Sequence, residues 1–399
     1  MQQLPVVRQR AERADLSRGA SAGVYVHFPY CLAKCPYCDF VSYATERAQI
    51  DHGAYADAVL AELRSRRSSL AGRVVTTLFF GGGTPSLWEP AQLGRVVAGV
   101  REQLDCAPDL EVTVECNPTS IDEDRARALV DVGVGRVSIG VQSLRDDRLK
   151  HLGRLHDAEG GRRAVLAALR AVPRVSADLI FGLPDQSPEQ ARDEALELVD
   201  LGLSHTSCYQ LTIEPGTRFG ELAKRGRLPL ADEGAVAESF LAIDEALVAR
   251  GLEHYEVSNY AIPGEQARHN LGYWRGDEYL GLGCAAYGFV LEDRGRGVRY
   301  RNEPLPDRYV QGGGTTGATL EPLDAATLMR ERIMLGLRVR QGLDVAEAAA
   351  SLGADGWTDG RERASTWLVD RGRIVRDGSR VRIPRAAWLW TDDTAARLF

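Results

Sequence analysis

Short apolar runs alternate with amphipathic stretches between residues 23 and 212 of the chain. The apolar runs are rich in β-branched and aromatic residues, a composition typical of buried parallel strands. They predict six strands, at 23–28, 74–80, 110–115, 136–141, 175–182 and 205–212. The stretches between them carry apolar residues at helical spacing. They predict helices at 55–67, 91–104, 124–133, 160–172 and 188–202.

Strands that alternate with helices build βαβ units, and these units form a parallel sheet. The six units lack the glycine fingerprint of a dinucleotide-binding sheet. The pattern therefore favours an α/β fold built on a partial or complete parallel (β/α) barrel.

The alternation ends near residue 252, and the remaining sequence predicts two further regions. Aromatic and polar residues dominate first, and a glycine-rich connector follows at 310–319. Helices are then predicted at 324–342 and 361–372, before a hairpin that turns at Asp377 and Gly378. This order is typical of a mixed α+β, winged-helix-like domain. The predicted organisation is a flexible leader (1–22), the barrel (23–252), a capping, ligand-binding and linker region (253–320) and the C-terminal domain (321–399).

Composition and charge narrow the class of protein. The 399 residues carry a net charge of −7, and we find no apolar run long enough to span a membrane and no secretory signal, so a cytoplasmic protein is expected. Residues 325–399 contain 13 Arg against 10 acidic residues, which is too balanced to predict nucleic-acid binding. Seven cysteines, four of them scattered singly, do not indicate a disulfide framework.

Three of these cysteines, Cys31, Cys35 and Cys38, lie within eight positions after the first predicted strand. A structural zinc site usually takes four protein ligands, and no second cysteine pair supplies the fourth. Three thiolates from one loop suit a four-iron cluster that keeps one iron open to an external ligand. A zinc site completed by His27 is the alternative that the residues leave open.

Polar or glycine residues follow the other predicted strands where each one ends. The sequence GGGTP, at 81–85, follows the second strand, and Glu115, Gln142, Asp178 and Tyr209 lie at or near the ends of the next four. Since the carboxyl ends of parallel barrel strands meet at one face, these residues are expected to share a site with the cysteines.

The spacing C-x3-C-x2-C, with aromatic Tyr37 before the last cysteine, resembles the radical S-adenosylmethionine (SAM) superfamily. Further blocks resemble the branch around oxygen-independent coproporphyrinogen III oxidase, and within it heme chaperones of the HemW type. They are YVHFPYCLAKCPYCDF, FFGGGTPS, VECNP, VSIGVQS, ADLIFGLP, EVSNYA and RHNLGYW, and the resemblance covers roughly residues 23–385. It implies a [4Fe–4S] cluster on the three cysteines, SAM on the open iron, and reductive SAM cleavage as a possible reaction.

The same resemblance implies a role for each matching residue. The cofactor-binding residues would be Tyr25 near the cluster-bound SAM, Gly82, Gly83 and Thr84 at the methionine amino group, Glu115 and Gln142 near the methionine end, Arg154 at the carboxylate, Asp178 at the ribose hydroxyls, and Tyr209 at the sixth strand.

Two positions separate the functions found in this branch. The oxidase pattern has a further cysteine where this chain has Phe40, which disfavours coproporphyrinogen oxidation. RHNLGYW is typical of the heme chaperones and makes His269 a candidate heme ligand. The chain departs from their pattern at Tyr287, which stands where a histidine is usual.

The resemblance therefore favours a heme chaperone that delivers heme to heme-dependent clients, membrane-associated respiratory enzymes among them. Flavodoxin or ferredoxin would be the electron donor. Three alternatives stay open: a HemN-like radical methyltransferase or cyclopropanase, the oxidase itself, and a binding module in which the cluster is only structural.

Overall fold

The computed structural model describes residues 21–399, and β1 begins at Ser21. Residues 1–20, which hold most of the predicted leader, lie outside the described residues. The strands are β1 (Ser21–Phe28), β2 (Tyr30–Cys31), β3 (Tyr43–Ala44), β4 (Val74–Gly82), β5 (Cys106–Cys116), β6 (Arg136–Gln142), β7 (Arg174–Phe181), β8 (His205–Gln210), β9 (Glu253–Glu256), β10 (Asn259–Ala261), β11 (Glu278–Leu282), β12 (Tyr287–Asp293), β13 (Arg296–Arg301), β14 (Thr319–Asp324), β15 (Leu343–Asp344), β16 (Val375–Asp377) and β17 (Arg380–Arg382).

Helices connect most of these strands, and several begin at a side chain that caps the first turn. Asp51, Asp122 and Asp157 each accept a hydrogen bond from a backbone N–H of the helix that follows. The helices are α1 (His52–Arg66), α2 (Pro90–Gln103), α3 (Glu123–Asp131), α4 (Asp146–His151), α5 (Ala158–Ala171), α6 (Pro188–Asp200), α7 (Arg218–Lys224), α8 (Glu233–Ala249), α9 (Arg268–Arg275), α10 (Pro306–Gln311), α11 (Ala325–Gly336), α12 (Val345–Leu352), α13 (Asp359–Asp370) and α14 (Thr391–Ala396).

Twelve of the strands form one sheet, in the order β14-β13-β12-β11-β1-β4-β5-β6-β7-β8-β10-β9. The six strands predicted from the sequence, β1 and β4 to β8, are parallel neighbours within it. The predicted parallel α/β architecture is therefore confirmed. Among the described strands the two ends of the order do not pair, so the barrel is open.

Strands from the region after residue 252 extend both ends of this sheet. β10 and β9 add antiparallel strands beyond β8. On the other side β11 is parallel to β1, and β12, β13 and β14 follow it as an antiparallel series. The predicted connector at 310–319 begins in the last two residues of α10 and ends at the first residue of β14. It packs against α1, since a Cβ on Gly314 would lie 2.3 Å from the carbonyl oxygen of Ala58.

The C-terminal region has its own apolar core, which includes Leu328, Met329, Ile333, Leu368 and Trp388. Its small sheet has the order β15-β17-β16, and the predicted hairpin is formed by β16 and β17. Helices followed by a small sheet match the predicted mixed α+β domain. None of the helices in residues 21–399 is long and apolar enough to cross a membrane.

Candidate functional site

A cavity opens at the carboxyl ends of the parallel strands, where the predicted site residues were expected to meet. Ten of the thirteen predicted site residues line it; we call it the cysteine cavity. They are Cys31, Cys35, Cys38, Gly82, Gly83, Thr84, Glu115, Gln142, Arg154 and Asp178. These residues come from β4 to β7 and from the loops after β1 and α4, so the fold joins segments almost 150 positions apart.

The loop after β1 holds the three cysteines in a short series of turns. The N–H of Cys38 donates to the carbonyl oxygen of Cys35 at 3.2 Å. Two further donors reach the sulfurs: Thr84 Oγ1 lies 3.4 Å from Cys31 Sγ, and Arg154 Nη1 lies 3.5 Å from Cys35 Sγ. Burial raises the pKa of the Cys31 thiol, and that of Cys38 to about 11. Since iron binds the thiolate, cluster assembly at these thiols would release protons.

The zinc alternative for these cysteines finds little support in the geometry. Nδ1 of His27 is hydrogen-bonded to the hydroxyl of Tyr25, and Nε2 to the carbonyl oxygen of Val41, each at 2.8 Å. Neither nitrogen is free to complete a zinc site. Within residues 21–399, no three His, Cys, Asp or Glu side chains converge as one metal ion would require. The three cysteines line the same cavity.

The glycine turn after β4 is fixed to the cysteine loop by backbone contacts. The N–H of Gly83 donates to Phe28, and that of Thr84 to Tyr30, at 2.8 and 2.9 Å. A Cβ on Gly83 would lie 2.7 Å from the carbonyl oxygen of Tyr30, so a larger residue cannot stand there without a shift of the backbone. Gly82 has a φ of +107°, a conformation that favours glycine.

Two carboxyl groups, Glu115 and Asp178, face the cavity from β5 and β7. Burial and the nearby charge of Asp178 raise the pKa of Glu115 to about 8, although the N–H of Gly82 donates to its Oε2 at 3.1 Å. Burial also raises the pKa of Asp178, against a hydrogen bond from Ser138 Oγ at 3.2 Å. At neutral pH Glu115 is therefore mainly a neutral acid in the ligand-free protein.

Arg154 and Gln142 show two signs of a site that is prepared for a ligand. Arg154 donates to the carbonyl oxygen of Gly140 at 2.6 Å, but its Nε is buried and has no partner among the described residues. Gln142 ends β6 with a φ of +67°, which is uncommon for a residue other than glycine. Unpaired buried donors and such backbone conformations are concentrated at functional sites.

Three predicted site residues do not line the cysteine cavity. Tyr25 lies one layer deeper, with its ring 6.2 Å from that of Phe79. Tyr209, 39% exposed, is the last residue but one of β8. His269 is buried inside the barrel, where Nδ1 is hydrogen-bonded to Thr77 Oγ1 at 2.8 Å and Nε2 to the hydroxyl of Tyr273 at 2.9 Å. A bond from His269 to iron would cost one of these contacts.

The cavity is also lined by three residues that were not predicted: Ser138, Asn117 and Lys34. Ser138 supports Asp178 and stands between Arg136 and Gly140 in β6. Alternate residues of a strand share one face of the sheet. The polar or small residues at alternate positions of this buried strand were therefore the signal that could have identified Ser138.

Comparison with known proteins identifies two matching family models. The radical SAM superfamily model matches residues 25–198, and the HemN C-terminal domain model matches residues 323–390. The chain is 41% identical to the heme chaperone HemW of Escherichia coli over 291 residues, which cover 72% of this chain and 75% of that protein. It is 35% identical to the heme chaperone HemW of Mycobacterium tuberculosis over 375 residues, 90% of this chain and 94% of the relative.

A solved structure of E. coli coproporphyrinogen III oxidase (HemN), a radical SAM enzyme, has the same fold. The TM-score is 0.78, and the match covers 98% of this chain and 93% of the oxidase. At 21% sequence identity, this likeness concerns the fold alone.

Proposed function

Since the chain belongs to the HemW family of radical SAM proteins, we propose that it is a heme chaperone. It would hold a [4Fe–4S] cluster and SAM in the cysteine cavity and pass heme to heme-dependent proteins. The observation that carries this proposal is the cavity itself, in which ten predicted residues meet at the carboxyl ends of the strands.

We propose Cys31, Cys35 and Cys38 as the cluster ligands. Their support is chemical: three thiols line one cavity, and Thr84 and Arg154 lie within donor distance of two of the sulfurs. Hydrogen bonds to the sulfurs and the positive charge of Arg154 would stabilise thiolates at a partly buried site. With SAM bound, such a cluster supplies the chemistry of reductive SAM cleavage.

The SAM contacts are proposed from the donors and acceptors that remain. The N–H groups of Gly82, Gly83 and Thr84 already donate within the protein, so this turn would receive the amino group through carbonyl oxygens. The unpaired Nε of Arg154 suits a carboxylate. Asp178 suits the two ribose hydroxyls, with Ser138 fixing its orientation.

Tyr25, Glu115 and Gln142 complete the proposed SAM site. Tyr25 would form the wall beneath it, because a Cβ on Gly81 would touch both its ring and Glu115. Glu115 and Gln142 would face the methionine end. Tyr209, one residue before the end of β8, would close the adenosine side of the cavity.

Phe40 favours a chaperone over a coproporphyrinogen oxidase. It lines the mouth of the cysteine cavity and is 57% exposed. A phenyl ring there cannot supply the further thiol that the oxidase pattern places two residues after the last cysteine.

Anaerobic reconstitution followed by hemin titration tests the proposal. We expect about four irons per chain, SAM binding to the reconstituted protein, and a stoichiometric hemin complex with a shifted Soret band. Failure to form that complex would refute the heme chaperone. Turnover of coproporphyrinogen would instead indicate the oxidase, and formation of S-adenosylhomocysteine with 5′-deoxyadenosine would indicate the methyltransferase.

Heme-dependent clients, membrane-associated respiratory enzymes among them, would be the recipients, and flavodoxin or ferredoxin would reduce the cluster. Transfer of labelled hemin from the purified holoprotein to an apo-enzyme of this class is the direct test. Equal transfer from free hemin at the same concentration would argue against a delivery role.

A further inference from the structure

A second cavity lies between the extended side of the sheet and the C-terminal domain. Its free volume is about 360 Å³, against about 160 Å³ for the cysteine cavity, and lies in the usual range of small-molecule sites. Its walls are aromatic and apolar, with Tyr279 and Phe289 from the sheet and Leu328 and Leu335 from α11. We call it the interdomain cavity.

Tyr287 lies on the same face of the sheet as the strand residues that line this cavity. Tyr287 and Phe289 are two positions apart on β12, so their side chains share one face of the sheet. On β13 their register partners are Arg301 and Arg299. Arg299 lines the interdomain cavity, and the next pair, Tyr287 with Arg301, forms its continuation towards the carboxyl ends of the strands.

Tyr287 and Arg301 have properties that packing does not explain. The phenol of Tyr287 is 47% exposed, whereas the neighbouring Tyr279 and Tyr300 are largely buried. The guanidinium of Arg301 lies 5.4 Å from the centre of the Tyr287 ring. Nε of Arg301 is buried and unpartnered among residues 21–399.

From this arrangement we infer that Tyr287 is the iron ligand of a ferric heme that lies on the face of β12 and β13. The inference rests on the proposed heme-binding function. The macrocycle would cover Phe289 and enter the interdomain cavity. Arg332 borders that cavity and donates one hydrogen bond, to the carbonyl oxygen of Gly276, which leaves other N–H groups for a heme carboxylate.

Coordination here is a ligand exchange without a change of oxidation state. The phenolate oxygen replaces water or hydroxide on ferric iron, and the phenol proton passes to solvent. Tyrosine is a known axial ligand of heme, and a nearby guanidinium offsets the negative charge of the bound oxygen.

The test compares Tyr287→Phe, Tyr287→His and the unchanged protein, each with a reconstituted cluster. Hemin affinity is measured by titration, and the iron ligand is identified by resonance Raman and EPR spectroscopy. We expect phenolate bands in the unchanged protein. Tyr287→Phe is expected to lose them and to bind hemin at least about tenfold more weakly. Tyr287→His is expected to restore binding with the spectrum of a nitrogen ligand.

Tyr43→Phe is the matched control, because its hydroxyl donates to the carbonyl oxygen of Pro304. It should keep both the affinity and the phenolate bands. If the unchanged protein binds no hemin, the proposed function itself fails. If it binds hemin and Tyr287→Phe changes neither affinity nor bands, the heme chaperone stands and Tyr287 is not the ligand. SAM binding by every variant confirms that the barrel is intact.

Discussion

Replacement of Glu115 by Gln should make the stability of the protein less sensitive to pH. The pKa of Glu115 is raised from 4.5 to about 8 in the folded protein, because the carboxyl is buried and Asp178 is near. Below pH 4.5 both the folded and the unfolded chain carry the proton, and burial of the neutral acid adds no pH-dependent cost. Between pH 4.5 and 8 only the unfolded chain loses it, so folding becomes less favourable as pH rises.

The pKa difference sets the size of the effect. A rise of 3.5 units, from 4.5 to about 8, corresponds to at most about 5 kcal/mol. Because the side chain borders an open cavity, we expect about 2 kcal/mol. The neutral amide of Gln can still accept from the N–H of Gly82. The free energy of unfolding of Glu115→Gln, relative to that of the unchanged protein, should therefore rise by about 2 kcal/mol from pH 5 to pH 9.

Urea unfolding of ligand-free protein at pH 5, 7 and 9 measures this difference. Glu256→Gln is a matched control, because burial raises the pKa of Glu256 to about 8 as well, outside the cysteine cavity. It should show a similar gain in stability but leave SAM binding unchanged, whereas Glu115→Gln should weaken it. If the free energies of unfolding of Glu115→Gln and the unchanged protein differ by the same amount at pH 5 and pH 9, the reasoning is refuted.

Three further substitutions test the cysteine cavity. Cys38→Ser should leave most iron and sulfide unbound after reconstitution. Cys106 lies outside the cavity, so Cys106→Ser should keep the full iron and sulfide content. Equal losses in the two variants would contradict the assignment of Cys38 as a cluster ligand. Asp178→Asn should weaken SAM binding by about 2 kcal/mol, since hydrogen bonds to a charged group contribute roughly 1.5–3 kcal/mol. Calorimetry measures this, and an unchanged dissociation constant would argue against a ribose contact. Gly83→Ala should destabilise the protein by about 1–3 kcal/mol, because its Cβ would meet the carbonyl oxygen of Tyr30; identical urea midpoints would contradict this.

The parallel strands were predictable because each buried strand is a short, continuous run of apolar residues. β4, for example, is the run VVTTLFF with a glycine turn after it. Once the strands are parallel, topology brings Cys31, Gly83, Glu115 and Asp178 to one end of the sheet without further information. The clustering of these residues at one site therefore follows from the sequence pattern.

The added strands were harder to predict, because their pairing is set by distant partners. β11 has only five residues, and it lies beside β1, more than 250 positions earlier in the chain. Its short run, EYLGL, does not show which edge of the sheet it joins. The interdomain cavity depends on that pairing and on the position of α11, so neither Phe289 nor Arg332 could be assigned to a site from the sequence.

The position of His269 gives it a structural role beside the interdomain cavity. Its ring is stacked on Phe79 at 4.9 Å and bridges Thr77 of β4 to the hydroxyl of Tyr273. Tyr273 in turn packs edge-on against Tyr279, 4.7 Å between ring centres, and both line the interdomain cavity. Truncation of His269 would therefore disturb the cavity wall, and loss of hemin binding alone would not identify the iron ligand. The spectra separate the two roles: with Tyr287 as the ligand, His269→Ala weakens binding but leaves the phenolate bands on the fraction that remains bound.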